Sequence, residues 1–247
     1  MLQETPASKH IAICLWGICR SSHYTYGSFK ENIIDKLTEF GFTYDIFLHT
    51  YRIESSYTNG WAGEHNIFLN NDNWQLFNPT KYLIENNTDV DNILEFSKYT
   101  TQPNPWNGNV TTFNNHIRAL YSLKQVTSLW TPTASSYYAV MYCRPDVQYL
   151  HPLEKEWFSP EYINTCAQTP NFSMCPINDR FCLGSPSIGR IFGERFNDAY
   201  EFSKQKSLHS EQFLWHTFNK HGIKMCTIPF NIKRIRANGR DEDPHLT

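Results

Sequence analysis

The chain has 247 residues, of which 40% are hydrophobic and 19% are charged, which is the composition of a folded domain. Its formal net charge of -2 excludes an overall basic field of the kind that attracts nucleic acid or an acidic membrane surface. No stretch approaches the roughly 20 consecutive apolar residues that cross a bilayer, and the N-terminal segment lacks the apolar core of a signal peptide. We expect one domain over residues 1–247, located in the cytoplasm unless the chain is the soluble part of a larger protein, with no nucleic-acid partner and no membrane span.

The first fifty residues predict a strand, a helix and a second strand. The apolar run at residues 9–16 is typical of a buried strand. Apolar side chains at helical spacing predict a helix over residues 28–40, with Ser28 as its N-cap and Gly41 at its end. Residues 44–50 form the next strand. Because a helix separates the two strands, a parallel sheet is favoured.

Residues 53–110 are polar and rich in Asn, Trp and Pro. They predict one helix, over residues 89–99, followed by turns. We interpret this region as a variable insertion or lobe of the same domain.

The second half of the chain predicts further helices and strands and a polar tail. Helices are predicted at residues 112–129, 186–192 and 210–221, strands at 137–147, 178–184 and 223–228, and the tail at 240–247. The predicted fold class is therefore α/β, with one Rossmann-like, mostly parallel sheet flanked by helices. Asp146 ends a strand of this sheet, and ligands of open α/β sheets lie beyond the carboxyl ends of the strands. We expect Asp146 to face the ligand crevice.

Six motifs follow one another along residues 11–239: ICLWGICRS, DIFLHTY, YCRPDVQYL, NDRFCLGS, HSEQFLW and IKRIRANG. Their order and spacing resemble those of nucleotide-sugar glycosyltransferases with the GT-A fold. Within that group, the chain is similar to glycosyltransferases of large algal DNA viruses of the chlorella-virus type. The resemblance implies a hexosyl- or pentosyltransferase that uses a nucleotide-sugar, in particular a UDP-sugar. The acceptor would be a glycan or glycoprotein, in viral or cell-surface glycan synthesis, and a viral chain would act in the host cytoplasm.

The same resemblance implies a divalent metal ion. Members of the group usually carry an Asp-x-Asp motif after the strand that matches residues 137–147, and its carboxylates hold Mn²⁺ or Mg²⁺ against the donor diphosphate. Here the motif reads Arg144-Pro145-Asp146, so Asp146 remains as the predicted metal ligand. Arg144 replaces the first Asp and could pair with a phosphate, or form a structural salt bridge. His245 is a further candidate ligand, unless it lies in a frayed tail.

Other predicted donor-binding residues lie at strand ends, on the long helix and in the basic C-terminal segment. They are Arg20, His49, Asn115, Arg118, Arg234 and Arg236. An ordinary alternative remains for several of them, such as a surface position for Arg20 or a buried, hydrogen-bonded ring for His49. The alternation of basic residues with Ile232 and Ile235 predicts a strand with Lys233, Arg234 and Arg236 on one face.

Asp179 and Glu211 are the candidates for acid–base work. The resemblance implies that an inverting transferase takes its general base from the start of the helix that follows the NDRF-like strand, and Glu211 fits that position. Asp179 would then bind hydroxyl groups of the sugar or the acceptor. The alternatives are a first-turn Glu that is favoured by the helix dipole, and a turn Asp.

Two other functions compete with this interpretation. Methyltransferases and nucleotide-binding oxidoreductases usually carry a glycine-rich loop after the first strand, whereas this chain has a single glycine in GICRSS. A carbohydrate- or nucleotide-binding module with weak catalysis is the second alternative, and the missing first Asp of the metal motif supports it.

Overall fold

The computed structural model describes residues 9–158, 163–167 and 177–241. The strands of these residues are β1 (His10–Trp16), β2 (Thr43–Arg52), β3 (Tyr57–Asn59), β4 (Glu64–Ile67), β5 (Lys81–Asn86), β6 (Ala139–Cys143), β7 (Val147–Tyr149), β8 (Ile163–Ala167), β9 (Ile177–Gly184), β10 (Met225–Ile228) and β11 (Ile232–Arg234). The α-helices are α1 (Ser22–Phe29), α2 (Asp35–Glu39), α3 (Asn87–Ile93), α4 (Val110–Trp130), α5 (Pro186–Glu194), α6 (Phe196–Gln205) and α7 (Ser210–Lys220). None of the described helices is both long and apolar enough to cross a membrane.

Seven strands form the central sheet, in the order β10-β8-β9-β6-β1-β2-β5. Strand β9 is antiparallel to both of its neighbours, β6 and β8, and the other pairs are parallel. The prediction of a mostly parallel sheet flanked by helices is therefore confirmed.

The sheet is covered on both faces, as the continuous apolar run of β1 requires. Alternate residues of β1 point to opposite sides, so Cys14 and Trp16 enter one hydrophobic core and Ile13 and Leu15 the other. Apolar residues of α4 to α7 complete the first core, and apolar residues of the α1–α2 segment complete the second.

The first helical segment begins at Ser22, so its predicted start at Ser28 is wrong. A π-helical turn, Lys30–Ile34, joins α1 to α2. Ser28 is not an N-cap, since its hydroxyl donates to the Thr25 carbonyl within the helix. The first turn of α1 is polar, so it shows no apolar periodicity from which its start could be predicted. Its buried Ser22 and Thr25 hydroxyls donate to the carbonyl of Pro145. Gly41 ends the segment in a left-handed conformation, as predicted.

Part of the region predicted as a variable lobe belongs to the central sheet. Strand β5 pairs in parallel with β2 and forms an edge of the sheet. Its sequence, KYLIEN, is polar because the strand is partly exposed. The predicted strand over residues 137–147 is also divided, because β6 ends at Cys143 and β7 pairs with β11 in a separate two-stranded sheet. Residues 242–247 of the predicted tail, with His245, lie outside the described residues.

Candidate active site

The topology places a crevice beside β1. From β1 the chain builds β2 and β5 on one side and then places β6 on the other. The loops that follow β1 and β6 therefore leave the sheet in opposite directions, and ligands of open α/β sheets bind at such a point.

Hydrogen bonds hold three chain segments together at this crevice. The Ser21 hydroxyl donates to the carbonyl of Ile235 (2.8 Å), and the Thr25 hydroxyl donates to the carbonyl of Pro145 (2.6 Å). The Ile235 N–H donates to the carbonyl of Asp146 (2.9 Å). The loops after β1, β6 and β11 are thus fixed to one another.

A pocket of about 430 Å³ lies at this crevice, within the usual size range of small-molecule sites. The predicted site residues that line it are Arg20, Asn115, Arg118, Arg144, Asp146, Asp179, Glu211, Arg234 and Arg236. His49 does not line the pocket. Its buried ring bonds to the Ser122 hydroxyl (2.7 Å) and to Glu85 (2.8 Å), and burial lowers its pKa. This arrangement agrees with the alternative of a buried, hydrogen-bonded histidine.

Asp146 is fully buried and paired with two arginines. Its Oδ1 accepts from Nε of Arg144 (2.8 Å), and its Oδ2 accepts from Nη2 of Arg144 (2.8 Å) and Nη2 of Arg20 (2.8 Å). Burial by itself would raise the pKa of Asp146, but the charges of Arg144 and Arg20 hold it far below its ordinary value. Asp146 is therefore ionised at neutral pH.

This donor set does not fit a divalent metal ion. Both oxygens of Asp146 already accept hydrogen bonds from guanidinium groups, whose positive charges would repel a cation. In the described part of the chain, no group of three or more His, Cys, Asp or Glu residues could hold a metal ion. Metal dependence stays a prediction that this arrangement does not favour.

A short hairpin closes one side of the pocket through Arg20. The Nη1 of Arg20 donates to the Tyr57 hydroxyl (2.7 Å) and to Glu64 (3.0 Å). Glu64 is fully buried and also accepts the N–H of Ala237 (2.8 Å). The β3–β4 hairpin is thus joined both to the loop after β1 and to the C-terminal segment. Sequence reasoning missed Tyr57 and Glu64, since nothing in their polar segment marks them as buried.

The basic C-terminal segment divides its side chains between two faces. Arg234 and Arg236 line the pocket, whereas Lys233 is partly exposed and pairs with Asp241. The prediction that the three share one face is wrong for Lys233, because side chains alternate along a strand.

Arg118 lines the pocket, but its guanidinium is bound to neighbouring side chains. Its Nε and Nη2 donate to both oxygens of Asp91 on α3 (2.6 and 2.7 Å), and its Nη1 donates to Asn115 (2.7 Å). This bidentate pair fixes α3 against α4. Donor binding by Arg118 and Asn115 stays a prediction.

Asp179 and Glu211 lie in the same pocket, with their pKa values displaced in opposite directions. Burial and the negative charge of Asp179 raise the pKa of Glu211. Burial would also raise the pKa of Asp179, but Arg195 and Arg144 lower it below its ordinary value. Opposed displacements of this kind are how two carboxylates acquire different roles in acid–base chemistry.

An aromatic wall stands beside these carboxylates. Trp106 stacks on His209, with ring centroids 5.7 Å apart, and its ring lies 5.5 Å from that of His116. Burial lowers the pKa of His116 to about 3, so its ring is neutral. His209 in turn lies 3.3 Å from Glu211. The sequence did not predict this wall. His209 belongs to the HSEQFLW motif and could have been singled out, whereas Trp106 lies in a turn-rich segment with no periodicity.

Pocket residues also carry buried polar atoms without a hydrogen-bond partner among the described residues. They include Arg20 Nε, Asn59 Oδ1, Thr112 Oγ1, His116 Nε2 and Arg234 Nε. Buried polar groups are nearly always satisfied in folded proteins, so these atoms can be satisfied by a polar ligand or by water.

No protein-family model matches the chain, and no curated protein sequence matches it significantly. Among solved structures it is similar to a glycosyltransferase involved in the glycosylation of the major capsid of PBCV-1, with 11% identity and a TM-score of 0.39 over 88% of this chain and 81% of that one. It is also similar to mouse xyloside xylosyltransferase 1 in its apo form, with 9% identity and a TM-score of 0.45 over 89% of this chain and 84% of that one. Both TM-scores are low, so the functional conclusion rests on the residues of this chain.

Proposed function

We propose that the chain is a glycosyltransferase that moves a sugar from a nucleotide-sugar to a hydroxyl group of a glycan or glycoprotein. One observation carries the proposal. The pocket lies where the strand order reverses, and it combines several arginines with two carboxylates whose pKa values are shifted in opposite directions. Six arginines and three carboxylates are found among the described residues that line it. Such a pocket suits the binding of an anionic ligand next to a group that can take up a proton during the reaction.

The arginines account for the donor. A nucleoside diphosphate presents phosphate oxygens that guanidinium groups bind in pairs. Arg144, Arg234 and Arg236 face the pocket from two of the three linked segments. We assign the diphosphate to these residues, and we infer from the sequence motifs that the nucleotide is UDP and that the reaction serves viral or cell-surface glycan synthesis.

The carboxylates account for the transfer. In an inverting reaction, the acceptor oxygen attacks the anomeric carbon, the bond from that carbon to the diphosphate oxygen breaks, and the nucleoside diphosphate leaves with the electron pair. The hydroxyl proton passes to Glu211, whose raised pKa makes its carboxylate a stronger base. Asp179 stays ionised and accepts hydrogen bonds from sugar or acceptor hydroxyls, and the aromatic face of Trp106 supplies an apolar surface for a sugar ring.

Nucleotide release from a panel of UDP- and GDP-sugars, measured with and without simple sugar acceptors, tests this function. We expect release that depends on the acceptor, and NMR of the product then identifies the linkage. UDP should also raise the melting temperature, because a ligand that binds the folded state alone stabilises it. Nucleotide binding without release would favour the binding module, and no response to any nucleotide or nucleotide-sugar would contradict the transferase.

A further inference from the structure

The surroundings of the Arg234 guanidinium suggest a binding site for an anion. Arg234 lines the pocket, and its Nε has no hydrogen-bond partner among the described residues. Burial and the nearby charges of Arg180 and Arg144 lower its pKa to about 9, and Asp146 opposes this effect only in part. Asp146 itself is already bound to Arg144 and Arg20. Among the described residues, Arg234 therefore lies beside like charges, with one buried donor unused and no salt bridge to a carboxylate.

Arg144 binds the Asp146 carboxylate directly and is held by several contacts. Its guanidinium binds Asp146 through two nitrogens and lies over the Trp16 ring, 4.8 Å from the ring centroid. It also lies beside Gly17, where the chain turns sharply after β1 with a φ of +96°. A Cβ at Gly17 would lie 3.7 Å from Nη1 of Arg144, so the glycine leaves the guanidinium face open to the pocket. Arg144 is thus positioned before any ligand arrives.

We propose that Arg144 and Arg234 bind the donor diphosphate in place of a divalent metal ion, so that donor binding is independent of metal. This inference rests on the proposed function and deepens it. Two guanidinium groups supply the same charge as one divalent cation. They also offer directed N–H groups to the phosphate oxygens on which negative charge grows as the sugar leaves. Asp146 then holds Arg144 in position instead of binding metal, and its backbone carbonyl accepts the N–H of Ile235, the residue after Arg234.

Calorimetric titration with UDP tests the inference, first in EDTA and then in Mn²⁺. We expect the dissociation constant to change less than about threefold between the two conditions. Arg234→Gln should weaken UDP binding at least about tenfold, since a charge-assisted pair contributes roughly 1.5–3 kcal/mol and 1.4 kcal/mol is a factor of ten. The loss should be smaller for UMP, which lacks the second phosphate.

Lys233→Gln is the matched control. Lys233 precedes Arg234 and carries the same charge, but its side chain is partly exposed, does not line the pocket and pairs with Asp241. This variant should bind UDP as the parent chain does. Circular dichroism melting of each variant establishes that it is folded. Arg234→Lys keeps the charge but loses the planar guanidinium, so its affinity for UDP should lie between those of the parent chain and Arg234→Gln.

The outcomes separate the inference from the function on which it rests. UDP binding that occurs in Mn²⁺ and is lost in EDTA would overturn the metal-independent site and leave the transferase standing. Equal loss of affinity in the Lys233 and Arg234 variants would also overturn it, because the effect would then be one of general charge. If UDP binds in neither condition, both the inference and the proposed function fail.

Discussion

A cavity lies at each end of the central strands, with a volume of about 430 Å³ beyond their carboxyl ends and about 350 Å³ beyond their amino ends. Both cavities hold polar clusters. At the amino ends, Asp45 accepts hydrogen bonds from His10 (2.9 Å) and from the Tyr137 hydroxyl (2.8 Å), and Lys81 lines the same cavity. At the carboxyl ends, Asp146 accepts hydrogen bonds from two arginines.

The two clusters differ in charge balance. The described residues around the amino-end cavity include one lysine and one aspartate, and none of the buried polar atoms without a partner in the described chain belongs to them. The carboxyl-end pocket has six arginines against three carboxylates, and several of its donors are unused. Volume and polarity are thus common to both ends. A cluster of arginines and buried polar atoms without a partner among the described residues distinguish the end that we propose binds the donor.

The largest expected effect comes from neutralising the buried carboxylate at the carboxyl end. Asp146→Asn leaves the buried Arg20 and the partly buried Arg144 beside a neutral amide. Removing one partner of a buried ion pair typically costs about 3–5 kcal/mol, so the free energy of unfolding should fall by that amount. The arginines should also lose their fixed positions, and turnover should fall at least about a hundredfold. Urea unfolding and the nucleotide-release assay measure the two effects.

Asp45→Asn is the matched change at the amino end. Asp45 is partly exposed, and its partners are a histidine and a tyrosine. We expect a loss of about 0.5–1.5 kcal/mol, the usual net value of a hydrogen bond, and unchanged turnover. Equal losses of stability in the Asp146 and Asp45 variants would remove the difference between the two ends.

At the base, an effect confined to turnover is expected, which is smaller than the combined loss of stability and turnover in Asp146→Asn. Glu211→Gln keeps the shape of the side chain but cannot take a proton, so turnover should fall about a hundredfold, the usual scale of a lost general base. UDP affinity should stay near that of the parent chain, because Glu211 is assigned to the acceptor. Single-turnover kinetics and calorimetry separate the two quantities.

Asp179→Asn tests the division of roles between the carboxylates. It should weaken acceptor use and raise the KM for the acceptor more than it lowers the maximal rate. A large catalytic defect in Asp179→Asn together with normal turnover in Glu211→Gln would show that the two roles are reversed.

The sequence predicted the central architecture because its signals are local. The apolar run of β1 and the helical spacing in α4 each reflect burial against one layer, and such periodicity is legible without tertiary contacts. The placement of Asp146 followed from the same logic, since the end of a strand in a parallel sheet defines the ligand edge.

The rest of the site depends on contacts that are distant along the chain. Arg20 pairs with Glu64, 44 residues away, and with Asp146, 126 residues away. No local pattern records such pairs. The direction of β9 was also not predictable, because an apolar strand has the same periodicity whether its neighbours are parallel or antiparallel. The polar edge strand β5 was missed because its exposed side chains resemble those of a loop.

The smallest expected effect is a difference in sign between the two ends when stability is measured against pH. Folding raises the pKa of Glu211, so the folded state is favoured below the ordinary glutamate pKa and loses that advantage as pH rises through the higher value. Glu211→Gln should therefore stabilise the chain at pH 7.5, by far less than Asp146→Asn destabilises it, and the gain should disappear near pH 4. Folding lowers the pKa of Asp45, whose contribution is present at pH 7.5 and is lost as pH falls. Asp45→Asn should accordingly destabilise the chain at pH 7.5, with the difference shrinking toward pH 3. Thermal melts of the parent and both variants from pH 3 to pH 8 measure the two trends. If Glu211→Gln instead lowers the melting temperature at pH 7.5, then the ionised Glu211 carboxylate is stabilised in the folded chain, and the raised pKa on which its assignment as the base depends is wrong.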